Sequence, residues 1–212
     1  MKKIITLLLI ISFSFKTQNS LAQTGLVTPK AMVVSARVEA SKIGSEIMKK
    51  GGNAFDAMVA TELALAVSFP YAGNIGGGGF MVYRKSNGEI GSLDYREKAP
   101  LAASKNMFLD EKGNVIKGKS LETALAIGVP GTIAGVFEVH KKLGSLPIEE
   151  ILKPVIELAE RGVIVTKKQE IQLKNHHEEI VKINGVKSLF SYAFKKNDTV
   201  KYPALAVTLK RI

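Results

Sequence analysis

Arg96 is the residue whose type and setting most clearly suggest chemistry. The chain of 212 residues has 30 basic side chains, and only five of them are arginines. Arg96 is flanked by Asp94 and Glu97 at the end of a mostly apolar, strand-like segment. A planar guanidinium there could hold a substrate carboxylate through two parallel charge-assisted hydrogen bonds. It could equally form a structural salt bridge with Asp94, Glu97 or a distant acid, and the residues alone leave both roles open.

The run Gly76–Gly79 first suggests a phosphate-binding loop. A dinucleotide fingerprint requires a strand, then a glycine-rich turn, then a helix whose N-terminus faces the phosphates. Here an apolar helical segment precedes the glycines and a strand-like segment follows them, and the P-loop lysine is missing. We therefore predict no nucleotide site and interpret the glycines as a bend where two backbone segments approach closely.

Other catalytic and metal-binding sequence patterns are missing as well. His140, His176 and His177 have no metal-ligand spacing around them, so we expect them at the surface. The sequence contains neither a G-x-S-x-G elbow nor an S-x-x-K pattern. Because it has no cysteine, it offers no thiol nucleophile and no thiolate zinc site. We expect no metal and no cofactor.

The formal charge of +11 raises the question of nucleic-acid binding. The basic residues are mostly lysines, whereas recognition of bases and phosphates favours the bidentate guanidinium of arginine. There is no tryptophan and no basic stripe interleaved with aromatic residues on which bases could stack. We expect a solvated, lysine-rich surface and no nucleic-acid partner.

The elements that must position Arg96 follow from periodicity and from punctuating residues. β-branched and aromatic residues predict a strand over 80–84, and Asn87-Gly88 predicts a type I′ hairpin turn. The return strand then delivers Arg96 at its far end. Apolar residues at helical spacing and capping residues predict helices elsewhere, at 37–50, 54–67 with an Asn53 cap, 147–161, and after a capping box at Thr166.

The N-terminus has the pattern of a secretory signal peptide. Lys2 and Lys3 precede an apolar run, and a polar stretch ends in Ser20-Leu21-Ala22. The run is too short to span a bilayer, which needs roughly 20 apolar residues. We predict that residues 1–22 are removed on export to the periplasm or beyond, which lowers the formal charge to +8 because three lysines leave with them. We expect no membrane association after cleavage.

Several ordered motifs resemble one known family. From about Thr28 onward the sequence is similar to the large subunit of bacterial γ-glutamyltranspeptidases. The motifs are GGNAFDAMVATELALAVSFPYAGNIGGGGFMVYR at 51–84, LDYREKAP at 93–100, NMFLD at 106–110 and GVPGTIAG at 128–135.

The resemblance implies an N-terminal-nucleophile hydrolase with an αββα sandwich, a mixed helix and strand fold that this chain would hold incompletely. Such a precursor cuts itself, and the exposed threonine attacks the γ-glutamyl amide of glutathione or a related peptide. The glutamyl group then passes to water or to an amino-acid acceptor. In the family, the arginine of the motif that matches DYREKAP holds the α-carboxylate of the donor, so the resemblance assigns substrate binding to Arg96.

The chain departs from the family pattern at the nucleophile. The family's catalytic threonine stands in a T-T-H segment of the small subunit, and no threonine of this chain is followed by Thr-His. We therefore expect residues 23–212 to be a truncated N-terminal portion of the large subunit, inactive alone and without catalytic residues. Its partners would be the remainder of the large subunit, the small subunit and the small-molecule substrate. The alternatives are a non-catalytic periplasmic module that binds γ-glutamyl compounds or amino acids, and a related acylase or polyglutamate capsule transferase.

Overall fold

Two helices precede the glycine run in the computed structural model, which describes residues 25–212. Helix α1 spans Val38–Lys49 and ends before Gly51, whose φ of 101° lies in the left-handed region that glycine adopts without strain. Helix α2 spans Ala54–Ser68, and the side chain of Asn53 accepts hydrogen bonds from backbone N–H groups at its start. Both predicted helices and the predicted cap are confirmed.

Asp56 completes this cap and connects α2 to a later part of the chain. Its buried side chain accepts hydrogen bonds from the backbone N–H of Asn53 at 2.8 Å and of Ser145 at 2.9 Å. The Ser145 hydroxyl donates to the same carboxylate. Burial alone would raise the pKa of Asp56, but these hydrogen bonds hold it below its usual value. Asp56 is therefore charged at neutral pH and fixes the start of α2.

The predicted antiparallel hairpin follows the glycines. Strand β1 spans Phe80–Arg84 and strand β2 spans Ile90–Asp94, with Phe80 opposite Asp94. The two strands therefore begin and end together, and the chain leaves β2 directly toward Arg96. The prediction that the hairpin delivers Arg96 at its far end is confirmed.

The hairpin turn differs from the predicted type I′. Gly88 has a φ of 89°, but Asn87 is not among the described residues with positive φ, and a type I′ turn needs both. The Lys85 N–H donates to the Glu89 carbonyl at 2.7 Å, so the loop is one residue longer. The Asn87 side chain accepts from the Glu89 N–H at 3.0 Å. The turn-type prediction was wrong because one left-handed glycine suffices in this longer loop.

The rest of the described chain is mainly helical. A second pair of antiparallel strands is short, and the capping box predicted at Thr166 is confirmed, with Gln169 as its partner. The elements are α3 (Thr132–Leu143), α4 (Ile148–Arg161), β3 (Val163–Ile164), α5 (Lys167–Asn175), α6 (His177–Asn184), β4 (Thr199–Val200) and α7 (Pro203–Arg211), with short 3-10 turns at Ala124–Ala126 and Leu189–Ser191.

The hydrophobic core lies among the long helices, and α2 is buried on most of its surface, as its apolar composition predicts. Burial of one large aliphatic side chain contributes about 1.5–3 kcal/mol. The largest fully buried aliphatic side chains come from α1, α2, α4 and α7: Ile47, Leu63, Ile151, Leu158 and Leu209. Helix α2 is therefore buried, and of its two acidic residues Asp56 belongs to the cap while Glu62 lies beside the segment that follows the hairpin.

The fold class is the expected mixture of helix and strand. Within residues 25–212 the strands form two separate two-stranded sheets, so the αββα arrangement is incomplete in this part of the chain. One face of the hairpin, with Phe80 and Val82, is exposed. No helix in the described range is both long and apolar enough to cross a bilayer. The predicted signal segment, residues 1–22, lies outside the described residues.

Candidate functional site

Arg96 lies just beyond the end of β2 with an exposed side chain. Its guanidinium carbon is 5.5 Å from the centroid of the Phe80 ring, a cation–π contact worth about 0.5–1 kcal/mol at an exposed site. Its backbone N–H donates to a carboxylate oxygen of Asp94 at 3.0 Å. Asp94 therefore binds the main chain of Arg96, and the Phe80 ring supports the guanidinium.

The guanidinium of Arg96 forms no ion pair with any acid in residues 25–212. The salt bridge to Asp94 or Glu97, which the sequence left open, is thus not made within this part of the chain. By contrast, Arg37 uses its fork on Glu39, with the closer contact at 2.8 Å. The donors of Arg96 remain available to a ligand.

Arg96 is one of the residues that line a groove of about 950 Å³. The groove is bounded by the chain that leaves β2, by the segment before α3 and by the first turns of α3. It carries charges of both signs, and its remaining lining is small or apolar. The charged lining residues are Asp94, Arg96, Glu97, Lys98 and Glu138.

Three backbone segments meet beside this groove. The Gly77 carbonyl accepts from the N–H groups of Gly131 at 2.8 Å and Thr132 at 3.1 Å. Gly79 and Tyr95 exchange backbone hydrogen bonds, with the Tyr95 N–H donating at 3.0 Å and the Gly79 N–H at 3.3 Å. The glycine run is therefore bonded on one side to the start of α3 and on the other to the chain entering Arg96.

The close approach requires glycine at specific positions. A Cβ at Gly78 would lie 2.6 Å from the Tyr95 carbonyl oxygen and 2.7 Å from the Arg96 Cα. A Cβ at Gly131 would also collide with the Tyr95 carbonyl oxygen. The interpretation of the glycines as a bend between closely packed backbones is confirmed.

The Tyr95 side chain occupies space that two further glycines, Gly79 and Gly135, leave by lacking side chains. Its ring is buried and packs where a Cβ at Gly79 or Gly135 would stand. Its hydroxyl donates to the Glu62 carboxylate on α2 at 3.0 Å. Burial, and then the neighbouring carboxylate, raise the pKa of Tyr95, so its hydroxyl stays protonated. Burial also raises the pKa of Glu62, which the hydrogen bond from Tyr95 opposes.

A second, smaller cavity of about 270 Å³ adjoins the glycine run. Its polar lining residues include Glu62, Glu97, Asn74 and, at the start of α3, Thr132. Glu97 lines both spaces, whereas Arg96 lines the groove and Glu62 the smaller cavity. The hydrogen bond between Tyr95 and Glu62 thus connects the walls of the two cavities.

The three histidines do not gather into a site. His140 contacts the Leu146 carbonyl at 2.8 Å, and His177 contacts the Ser191 carbonyl at 3.0 Å. His176 lies 3.3 Å from Glu179 on the surface. Within the described residues, no three His, Cys, Asp or Glu side chains are grouped as metal ligands would be.

The hydrogen bond between Glu62 and Tyr95 was not predicted from the sequence. Two signals could have indicated it: Glu62 is the one acid of this mostly apolar helix outside the capping residue Asp56, and Tyr95 directly precedes Arg96. Because successive side chains of an extended segment point to opposite sides, an exposed Arg96 implies an inward Tyr95. A buried tyrosine hydroxyl needs a partner, which Glu62 supplies.

We predict that Gly78→Ala destabilises the protein, because its Cβ would displace the main chain at Tyr95 and Arg96. Overpacking of this kind costs about 1–3 kcal/mol. Gly76→Ala is the matched control in the same run, since its Cβ would meet only the Asn74 side chain, at 3.6 Å. Urea unfolding measures both variants, and equal stabilities would contradict the packing described here.

Comparison with known proteins places these motifs in a family. The profile of the Gamma-glutamyltranspeptidase family matches residues 40–212. Over 174 residues, 81% of this chain and 30% of the relative, the chain is 47% identical to the glutathione hydrolase proenzyme of Pseudomonas aeruginosa. It is 41% identical over 187 residues, 86% of this chain and 32% of the relative, to the proenzyme of Escherichia coli.

Solved structures agree with the sequence matches. The crystal structure of Helicobacter pylori γ-glutamyltranspeptidase superposes with a TM-score of 0.85 and 43% identity, covering 89% of this chain and 55% of that one. The chain spans about a third of the length of the curated relatives that it matches. With its motifs, its fold and these similarities in agreement, the chain belongs to the γ-glutamyltranspeptidase family.

Proposed function

We propose that this chain supplies the N-terminal part of the large subunit of an exported γ-glutamyltransferase that hydrolyses glutathione, and that Arg96 binds the α-carboxylate of the γ-glutamyl donor. Its relatives in Pseudomonas aeruginosa and Escherichia coli are named glutathione hydrolase proenzymes. The observation that carries the proposal is that Arg96 lines the groove and that its guanidinium forms no ion pair in residues 25–212.

The chemistry of the groove fits the amino-acid end of a γ-glutamyl compound. That end carries a carboxylate and an ammonium on one carbon. The fork of Arg96 matches the carboxylate bidentately, and hydrogen bonds to charged groups contribute about 1.5–3 kcal/mol each. Glu97 and Glu138 line the same groove and favour the positive ammonium. A mixed-sign groove therefore suits a zwitterion better than a dianion.

In this proposal the chain binds and orients the donor, and other segments perform the bond chemistry. The nucleophilic threonine, its amine base and the oxyanion donors belong to the remainder of the large subunit and to the small subunit. A threonine hydroxyl reacts at neutral pH only when a base lies within hydrogen-bond reach. The substrate-binding half-site and the nucleophile would thus come from separate parts of one precursor.

A chimera tests this proposal. Residues 40–212 of this chain replace the matching segment of the Pseudomonas aeruginosa proenzyme, and release of p-nitroaniline from a γ-glutamyl anilide is measured. We expect the chimera to cleave itself and turn over, with Arg96→Ala raising the KM for the donor on the order of 100-fold because two charge-assisted bonds are lost. The KM of Arg96→Lys should lie between those of the unmodified chimera and of Arg96→Ala, since an ammonium cannot bind a carboxylate bidentately.

Arg84→Ala is the matched control. Arg84 is an exposed arginine at the end of β1, whereas Arg96 contacts Phe80 at the start of that strand, and Arg84 does not line the groove. Self-cleavage reports folding in each variant. An unchanged KM in a self-cleaved Arg96→Ala chimera would contradict the role of Arg96. A chimera that neither cleaves itself nor turns over would contradict the equivalence of the segments. An unmodified chimera that binds glutamate without turnover would favour the alternative of a non-catalytic binding module.

We also propose that the chain is exported, with cleavage after Ala22. Lys2, Lys3 and the apolar run after them carry this proposal. Intact-mass analysis of the protein recovered from the periplasm should give an N-terminus at Gln23. Retention of Met1 in a cytoplasmic fraction would contradict export.

A further inference from the structure

We propose that Glu62 and Tyr95 are positioning residues for Arg96: their hydrogen bond fixes the main chain at 95–96 and so sets the direction in which the Arg96 side chain leaves the main chain beside the groove. The geometric part of this inference stands on the structure alone. Its kinetic part rests on the proposed function of Arg96.

Tyr95 and Arg96 lie in an extended segment, in which side chains alternate between the two sides of the chain. Tyr95 and Arg96 are consecutive, so their side chains leave the chain on opposite sides. Tyr95 points inward and is buried, whereas Arg96 points outward over the Phe80 ring. Any rotation of the main chain that moves the tyrosine ring must also redirect the arginine.

The position of the Tyr95 ring is fixed by backbone pairing, by packing and by a hydrogen bond. Backbone hydrogen bonds pair Tyr95 with Gly79, and the ring occupies space that Gly79 and Gly135 leave by lacking side chains. Packing on these glycines limits lateral movement of the ring. The hydroxyl at the far end of the ring is held by Glu62 at 3.0 Å, which fixes its remaining tilt.

Glu62, which accepts the hydrogen bond from Tyr95, lies on a helix that is packed into the core. Glu62 belongs to α2, whose neighbouring side chains Leu63 and Val59 are fully buried in the core. A site is held most accurately when its supporting residues lie on a rigid element. Glu62 lines the smaller cavity and not the groove of Arg96, so it acts on a ligand in the groove only through Tyr95.

NMR of the full chain tests the geometric part. The sequence has five arginines, so a sample labelled with ¹⁵N-arginine gives few Nε–H signals to assign. We expect Tyr95→Phe and Glu62→Leu to shift the Arg96 signal and to increase its fast motion, while Glu62→Gln, which keeps an acceptor, stays closer to wild type. The Arg37 signal, whose Nε donates to Glu39 at 3.1 Å, should not change and reports folding.

Tyr192→Phe is the matched control, because Tyr192 is 67% exposed and lies outside both cavities. An Arg96 signal that is unchanged in folded Tyr95→Phe and Glu62→Leu would overturn the proposal. If Tyr95→Phe does not fold, as judged from Arg37, the comparison of Glu62→Leu with Glu62→Gln decides instead. Equal Arg96 signals in those two variants would overturn it as well.

A double-mutant cycle in the chimera tests the kinetic part. Tyr95→Phe should raise the donor KM about fivefold and leave kcat within about twofold, as expected when binding that is equal in ground and transition states is lost. In an Arg96→Ala background it should raise KM no further, because the effect passes through Arg96. Equal effects in both backgrounds would overturn positioning. An Arg96→Ala variant with unchanged KM would instead refute the proposed function, and the NMR result would still decide the geometry.

Discussion

The packing of Tyr95 against glycines is the constraint on which the site depends. A tyrosine ring can enter this part of the molecule only because Gly79 and Gly135 leave its space empty. The main chain at Tyr95 can approach the glycine run only because Gly78 and Gly131 lack Cβ atoms. The same contacts that bury the ring place the following residue, Arg96, in the lining of the groove.

This arrangement connects the buried core with the groove that Arg96 lines. The buried helix α2 is capped by Asn53 and held by the charged Asp56, and it carries Glu62 beside the hairpin. The hydroxyl of Tyr95 transmits that fixed position to the end of β2. Asp94 holds the main chain of Arg96, and the Phe80 ring supports its side chain without consuming its hydrogen-bond donors. The guanidinium of Arg96 forms no ion pair within residues 25–212, which the proposed binding of a carboxylate requires.

Local signals in the sequence were sufficient to predict the helices and the hairpin, but they did not predict which side chains of these elements contact one another. Helical periodicity and the Asn53 cap predict α1 and α2, and the strand composition predicts the hairpin that leads to Arg96. The turn type could not be predicted, because Asn87-Gly88 is compatible with several loops and the hydrogen bond from Lys85 to Glu89 selects among them. The pairing of Glu62 with Tyr95 joins residues 33 positions apart and depends on how α2 packs beside the hairpin. The proposed role of Arg96 comes from the family resemblance, because its residue type and neighbours left that role undecided.

The most direct test of this account is a crystal structure of the chimera with glutamate bound. We predict that the α-carboxylate of the ligand accepts two hydrogen bonds from the Arg96 guanidinium, at about 2.7–2.9 Å. The hydrogen bond from Tyr95 to Glu62 should persist when glutamate is bound. A structure in which glutamate binds elsewhere while Arg96 pairs with Glu97 would contradict it.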